Sequence, residues 1–132
     1  MMVTPFYAGL LVLWFFVLSF RVIRERGHRK IPLGDGGDAG MQRVIRGHAN
    51  FAEYVPLALV MMMMLELSGF PVSVLHMLGA TLLVARLLHG YALSFTPYFF
   101  FGRFAGAALT FVVLLIEAGL CLRQAVQAHV LW

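Results

Sequence analysis

The chain has 132 residues, 61% of them hydrophobic and only 12% charged, against about 45–50% apolar and about 25% charged in soluble domains. A soluble fold of this length has too little interior to hide so much apolar surface, so the composition excludes that class and leaves a membrane protein. The net charge is +4, but seven of the ten Lys and Arg residues lie between Arg21 and Arg46 with no aromatic interleaving, which argues against nucleic-acid binding.

The first apolar run, residues 1–20, has no basic residue ahead of it and no A-x-A site behind it. It is read as a retained span and not as a cleaved signal peptide. As a helix it rises about 30 Å, the thickness of the hydrocarbon core. Residues 21–40, "RVIRERGHRKIPLGDGGDAG", combine charges, Pro32 and five glycines and are expected to form a loop. Asp35 and Asp38 are too few carboxylates for a calcium loop, and "GDGGDAG" lacks the lysine of a phosphate-binding loop. Asp38 is the expected N-cap of the next helix.

The second span is expected over about residues 41–67. Its Met61–Met64 run points four ways around a helix and cannot converge on one ion, so no metal site is expected there. "SGFP" is a tight, uncharged turn to the third span, about 72–95. "SFTPYFFFGR" then leads to the fourth, about 104–126, and its aromatics suit a membrane interface. The fold class is therefore all-α, an integral-membrane four-helix bundle forming one domain over 1–132. The positive-inside rule places the basic first loop in the cytoplasm and both termini outside. Cys121 is the single cysteine, so no intrachain disulfide forms, and it is read as an inert packing thiol.

The second span opens with unusually polar residues. At 100° per residue, Arg46, Asn50 and Glu53 share one stripe, with Arg43 and Tyr54 beside it and His48 on the far side. Charged groups within a membrane helix survive where they face a partner, protein or water. An internal Arg46–Glu53 salt bridge explains two of these residues and leaves Asn50 and Arg43 unexplained. The third span adds Arg86 and His89 at the same end, and Arg103 stands at the start of the fourth. The cluster holds more cations than anions and suits an anionic ligand, with Glu53 free for an ammonium.

"RVIRGHANFAEYVPLALV" resembles the second-helix signature of the MAPEG family, the membrane-associated proteins in eicosanoid and glutathione metabolism. The shared core is R-x-H/Q-x-N-x-x-E and a following proline, here Arg46, His48, Asn50, Glu53 and Pro56. "RGHRKIPLGDGG" before it and "ARLLHGY" after it extend the likeness, which covers nearly the whole chain and is of a bacterial type. The resemblance implies a homotrimer that binds glutathione at its subunit interfaces, near the cytoplasmic side. Arg46 then holds a glutathione carboxylate, Asn50 a peptide group and Glu53 the γ-glutamyl ammonium. His89 is the third-helix contact, Arg103 stabilises the thiolate, and Arg24 or Arg26 contributes from the first helix. Arg43, Tyr54 and Arg86 are further candidates for the glutathione site.

The implied activity is transfer of glutathione to an apolar electrophile drawn from membrane lipid, or reduction of a lipid peroxide. Glutathione serves as substrate or cofactor, and no metal takes part. The expected location, for a bacterium, is the inner membrane. Two departures stand out. Leu93 occupies the place of a tyrosine that family enzymes often carry, and the Phe-rich connection before Arg103 differs in length. Two rivals remain open. A small multidrug-type transporter would use a membrane carboxylate, for which Glu117 is the available group, since residues 1–20 contain no acid. A non-catalytic scaffold would keep the binding stripe without turnover.

Overall fold

The computed structural model describes residues 2–130, with side chains to residue 127. Residue 1, the first of the expected opening span, and residues 131 and 132 at the end of the expected domain lie outside the described residues. Four helices follow one another: α1 (Val3–Arg29), α2 (Ala39–Leu67), α3 (Val72–Ser94) and α4 (Phe100–Val130). Each is long and apolar enough to cross a membrane. The described residues contain no strand. Helix α3 touches all three others, while α4 packs on α3 and α2 and, among the described residues, not on α1.

The expected loop over residues 21–40 is corrected by the structure. Apolar sequence ends at Phe20, but α1 continues through Arg29. Arg21 and Arg29 flank Glu25 at i−4 and i+4 and pair with it at 2.7 and 2.9 Å, so the emerging helix is held by its own ion pairs. It stops only where Lys30 turns left-handed and Pro32 follows. Gly34, Gly36 and Gly37 all take positive φ, a conformation glycine adopts without a Cβ clash. The Arg26 guanidinium donates to the Gly34 carbonyl at 2.8 Å and closes the turn. Asp38 caps α2 as expected, accepting from the Met41 amide at 2.8 Å.

Helix α2 buries Met41, Val44, Gly47, Phe51, Val55, Ala58, Met62 and Leu65, a three–four spacing that lays one stripe against α1 and α3. Within the methionine run Met62 is buried and Met64 exposed, as divergent directions require. At the far end Gly69 turns with φ 79 and its N–H donates to the Glu66 carbonyl at 3.0 Å. The Glu66 side chain reaches across to α1, where the Val3 and Thr4 amides donate to its two oxygens, the Thr4 bond measuring 2.9 Å. An acid at a helix N-terminus satisfies donors that have no intrahelical partner.

Helix α4 begins at Phe100, four residues before the expected 104, so Arg103 lies in its first turn. Gly106 lets α4 approach α3. A Cβ there would stand 2.6 Å from the Ala85 carbonyl oxygen and 2.7 Å from His89 Cβ. Gly102 and Gly106 form a G-x-x-x-G pair, the small-residue spacing of close membrane-helix packing.

Candidate functional site

The site candidates gather at the end of the bundle where α1 and α3 finish and α2 and α4 start. They divide into an open stripe and a buried cluster. On the open stripe Arg46 and Glu53 pair across two turns of α2 at 3.3 and 3.4 Å, the bond foreseen from their spacing. Both side chains are about half exposed, at 55% and 49%. Glu53 is the fifteenth and Arg46 the eighth of the 29 residues of α2, so the pair reaches from the third turn to mid-helix. Its exposed neighbours further along are Leu57, Val60 and Met64, which suit lipid or an apolar partner.

Asn50 turns from the stripe toward the interior. Its Oδ1 accepts from Arg86 Nη2 at 2.8 Å. Arg86 is 1% exposed and extends between α2 and α4. Its Nη1 donates to Thr110 Oγ1 at 3.2 Å, and that hydroxyl in turn donates to the Gly106 carbonyl at 2.7 Å. Arg86 Nη2 also lies 3.4 Å from His89 Nδ1, a contact that requires the Nε2-protonated tautomer. The guanidinium carbon stands 5.8 Å from the Phe51 ring centre. Among the described residues no carboxylate lies within salt-bridge distance of Arg86, and its Nε has no partner. A buried cation without a counter-ion is costly, so this position favours an incoming negative charge.

The remaining candidates are scattered. Tyr54 is half-buried and meets Phe111 edge-on at 5.5 Å, at the head of an apolar groove of ≈ 460 Å³ between α2 and α4 lined by Leu57, Met61, Phe111 and Leu115. Arg103 is exposed and shows no polar partner among the described residues. Arg43 likewise is unpaired and lines a different cleft, on the α1–α3 side of α2. Arg24 points toward His28 at 3.5 Å, and Arg26 is committed to the loop carbonyls. His48 faces α1, stacked on Phe15 at 4.7 Å with Nε2 3.1 Å from Ser19 Oγ. Tyr91 stacks on Phe95 at 5.6 Å, away from the stripe.

Sequence reasoning missed Thr110, Gly106 and the role of Arg21. The G-x-x-x-G spacing was the available signal for Gly106 and, one turn on, Thr110. Arg21 had none: its Nε donates to the Ser94 carbonyl at the end of α3 at 3.0 Å, and its guanidinium lies 5.1 Å from the Phe95 ring centre. Glu117 in α4 is fully buried, and neither of its carboxylate oxygens has a partner among the described residues.

Comparison with known proteins bears on this arrangement. The sequence profile of the MAPEG family matches residues 4–123. The chain is 37% identical over 115 residues to inner membrane protein YecN of Escherichia coli (strain K12), covering 87% of this chain and 86% of that protein. The same protein from Escherichia coli O6:H1 matches to the same extent. No solved structure matches.

Proposed function

The chain belongs to the MAPEG family, and on that premise we propose that it binds glutathione and adds its thiolate to apolar electrophiles or uses it to reduce lipid peroxides. Membership makes it a multi-pass membrane protein of a family linked to glutathione-related functions, and the bacterial relative supports an inner-membrane location.

The observation that carries the reading is the open Arg46–Glu53 pair beside Asn50. Its two members are held at 3.3–3.4 Å, longer than a strong charge-assisted contact. A zwitterionic peptide offers each a better partner, its carboxylate for Arg46 and its ammonium for Glu53. Asn50 keeps its NH₂ group available for a peptide carbonyl while its oxygen accepts from Arg86. In this reading Arg103 stands over the thiol and favours its ionised form by charge. A free thiol near pKa 8.5 is mostly protonated at neutral pH. Lowering that value by about two stabilises the thiolate by roughly 2.7 kcal/mol. The groove beyond Tyr54 supplies an apolar path for the second substrate from lipid. With an electrophile, a sulfur–carbon bond forms while either an activated double bond opens and its carbanion takes up a proton, or a leaving group departs with its electron pair, and the protein needs no covalent intermediate. With a peroxide, two glutathione thiols become a disulfide while the hydroperoxide is reduced to an alcohol and water.

The proposal includes assembly as a homotrimer with the stripe at its interfaces. A charge at mid-helix facing lipid, as Glu53 would be, costs at least about 2.5–3.5 kcal/mol, and a neighbouring copy removes that exposure. Mass measurement in mild detergent tests this, and monomers alone would count against it. The basic first loop lies in the cytoplasm. Labelling of Leu33→Cys, at an 86% exposed position, from outside intact cells would overturn that orientation.

The decisive experiment is glutathione titration of the purified protein with a panel of electrophiles and hydroperoxides. Glu53→Gln removes a charge-assisted contact worth roughly 1.5–3 kcal/mol and weakens glutathione binding ten- to a hundredfold. Arg103→Leu keeps affinity near wild type, raises the pKa of the bound thiol and slows turnover. Thiolate absorbance against pH reports that pKa. If Arg103→Leu leaves the titration unmoved, the thiolate role passes to Arg86. If both variants bind and react as wild type does, the glutathione reading fails.

A further inference from the structure

Arg86 is a buried side chain that can only donate. Its guanidinium has no lone pair to offer, so every polar atom bonded to it must act as an acceptor. Nη1 donates to Thr110 Oγ1 at 3.2 Å and Nη2 to Asn50 Oδ1 at 2.8 Å, with His89 Nδ1 3.4 Å from the same nitrogen. The Thr110 hydroxyl commits its hydrogen to the Gly106 carbonyl at 2.7 Å, so its lone pairs face the guanidinium. Gly106 brings α4 close enough to α3 for this bond, since a Cβ there would meet the Ala85 carbonyl and His89. The bonds therefore run in one direction, outward from a guanidinium on α3 to a hydroxyl braced on α4 and an amide on α2.

That direction decides what Asn50 and His89 offer elsewhere. With Oδ1 held by Arg86, the free branch of the Asn50 amide is its NH₂ group. With Nδ1 accepting, the His89 proton sits on Nε2. Among the described residues neither Asn50 Nδ2 nor His89 Nε2 has a hydrogen-bond partner, and neither is one of the unpartnered atoms closed to solvent. Both are open donors, whereas Arg86 Nε is sealed in. An unconstrained amide can present either its oxygen or its nitrogen, and a neutral imidazole has two tautomers. Here both groups are set to donate, and the edge they form suits a ligand atom that only accepts.

We propose that Arg86 and Thr110 are positioning residues that act through Asn50 and His89, fixing both as donors for a carbonyl or carboxylate oxygen. Thr110 holds the guanidinium, and the guanidinium sets the amide and the imidazole. The identity of the ligand rests on the glutathione reading, which this deepens: the part of the peptide meeting this edge is an acceptor without a proton of its own. A neutral glutamine in place of Arg86 would bond the Asn50 amide in either orientation, because it both donates and accepts. The donor-only cation excludes the reversed amide. The lack of a carboxylate near Arg86 serves the same end, since an acid there would compete for Nη2 and release Asn50.

Nitrogen NMR of the full chain with labelled histidine reads the arrangement without any ligand. Above neutral pH the His89 ring, identified by its loss in His89→Gln, shows the Nε2-protonated tautomer. Thr110→Val turns it into a mixture, and Thr110→Ser restores it. An Nδ1-protonated ring in the wild type overturns the proposal, as does a tautomer that Thr110→Val leaves unchanged. Glutathione titration and turnover then read the use of the arrangement. Thr110→Val raises Kd and KM roughly tenfold and keeps kcat, while Thr110→Ser stays near wild type. Asn50→Asp separates positioning from packing. It gives Arg86 an acid, so the thermal midpoint rises, yet glutathione affinity falls roughly tenfold or more because an acceptor now faces an acceptor. Wild-type affinity in Asn50→Asp overturns the proposal. So does a Thr110→Val protein that loses thermal stability and keeps its affinity, since the pair is then only a brace. If the wild type binds no glutathione, the peptide reading falls, and the His89 tautomer still decides whether Thr110 and Arg86 set the donors.

Discussion

The two ends of the bundle handle polar groups in opposite ways. At the end formed by the α2–α3 turn, most charged and aromatic polar groups are engaged by neighbouring helices, and the buried Thr4 hydroxyl is the exception without a partner among the described residues. Glu66 takes the first amides of α1, and the Tyr7 hydroxyl meets His76 Nδ1 at 3.1 Å. At the other end the groups exceed their partners. Among the described residues the Arg43 and Arg103 side chains are unpaired, Arg86 is buried without an acid, and the Ser94 and Thr96 hydroxyls go unused. The surplus of cations at the second end is what the proposed glutathione would meet.

The largest effect expected from this comparison concerns packing on a single helix. Gly106→Val, at the polar end, drives methyl groups into the Ala85 carbonyl and His89 and destabilises the protein by about 3 kcal/mol or more. Gly119→Val, nearer the opposite end with open space around it, changes stability by less than about 1 kcal/mol. Unfolding in detergent by a denaturing surfactant ranks the two. Similar values would mean that the close α3–α4 crossing is not where the polar end is braced.

Next comes Arg86→Met. No carboxylate is left stranded by removing this cation, so the unliganded protein changes by no more than about 1 kcal/mol. Glutathione affinity nevertheless falls by ten- to a hundredfold, roughly 1.5–3 kcal/mol. Calorimetric titration beside thermal unfolding separates the two quantities. A large stability loss with unchanged affinity would make Arg86 a structural residue like those at the far end.

The smallest effects belong to the helix caps, one from each end. Glu66→Gln weakens the α1 cap and costs roughly 0.5–2 kcal/mol, with ligand binding unaltered. Asp38 lies in the loop, where the Met41 amide first, and then Arg29, hold its carboxyl below the usual carboxylate range. A depressed folded pKa means that its contribution is present above the unfolded value and lost as pH falls through the folded one. Asp38→Asn therefore lowers stability at neutral pH, where the contribution is fully present, and flattens the acid side of the stability–pH curve, the two proteins converging as pH falls through the folded value. An unchanged acid limb would show that the cap contributes nothing there.

The legibility of these regions from sequence also differs. Four spans, the Asp38 cap, the divergent methionines and the Arg46–Glu53 pair rest on local periodicity, which a linear string carries directly. The extension of α1 to Arg29 did not, because charge and glycine after Phe20 read as a loop. Only the side-chain geometry shows Glu25 bonded to arginines on both sides. Arg86 was placed at the correct end, but its partners Asn50 and Thr110 stand 36 and 24 residues away. The unused hydroxyls of Ser94 and Thr96 had no sequence signature at all. A satisfied and an orphaned serine are the same letter, and the difference appears only once three helices enclose it.

Trp14 donates to the Arg86 carbonyl across 72 residues, and Arg21 to the Ser94 carbonyl across 73. The chain emerges from the ribosome with α1 first, at about 5–20 residues per second. Several seconds therefore separate the first helix from the one that completes its bonds. During that interval the Trp14 indole has no protein acceptor on α3, and Arg21 has only Glu25 for company. The first helix is already faced against α2 through the Phe15–His48 stack and the Glu66 cap, while its Trp14 and Arg21 bonds wait for the third. Biogenesis of this protein thus has a built-in order, and a nascent chain halted after α2 exposes an unfinished surface that quality-control proteases can recognise.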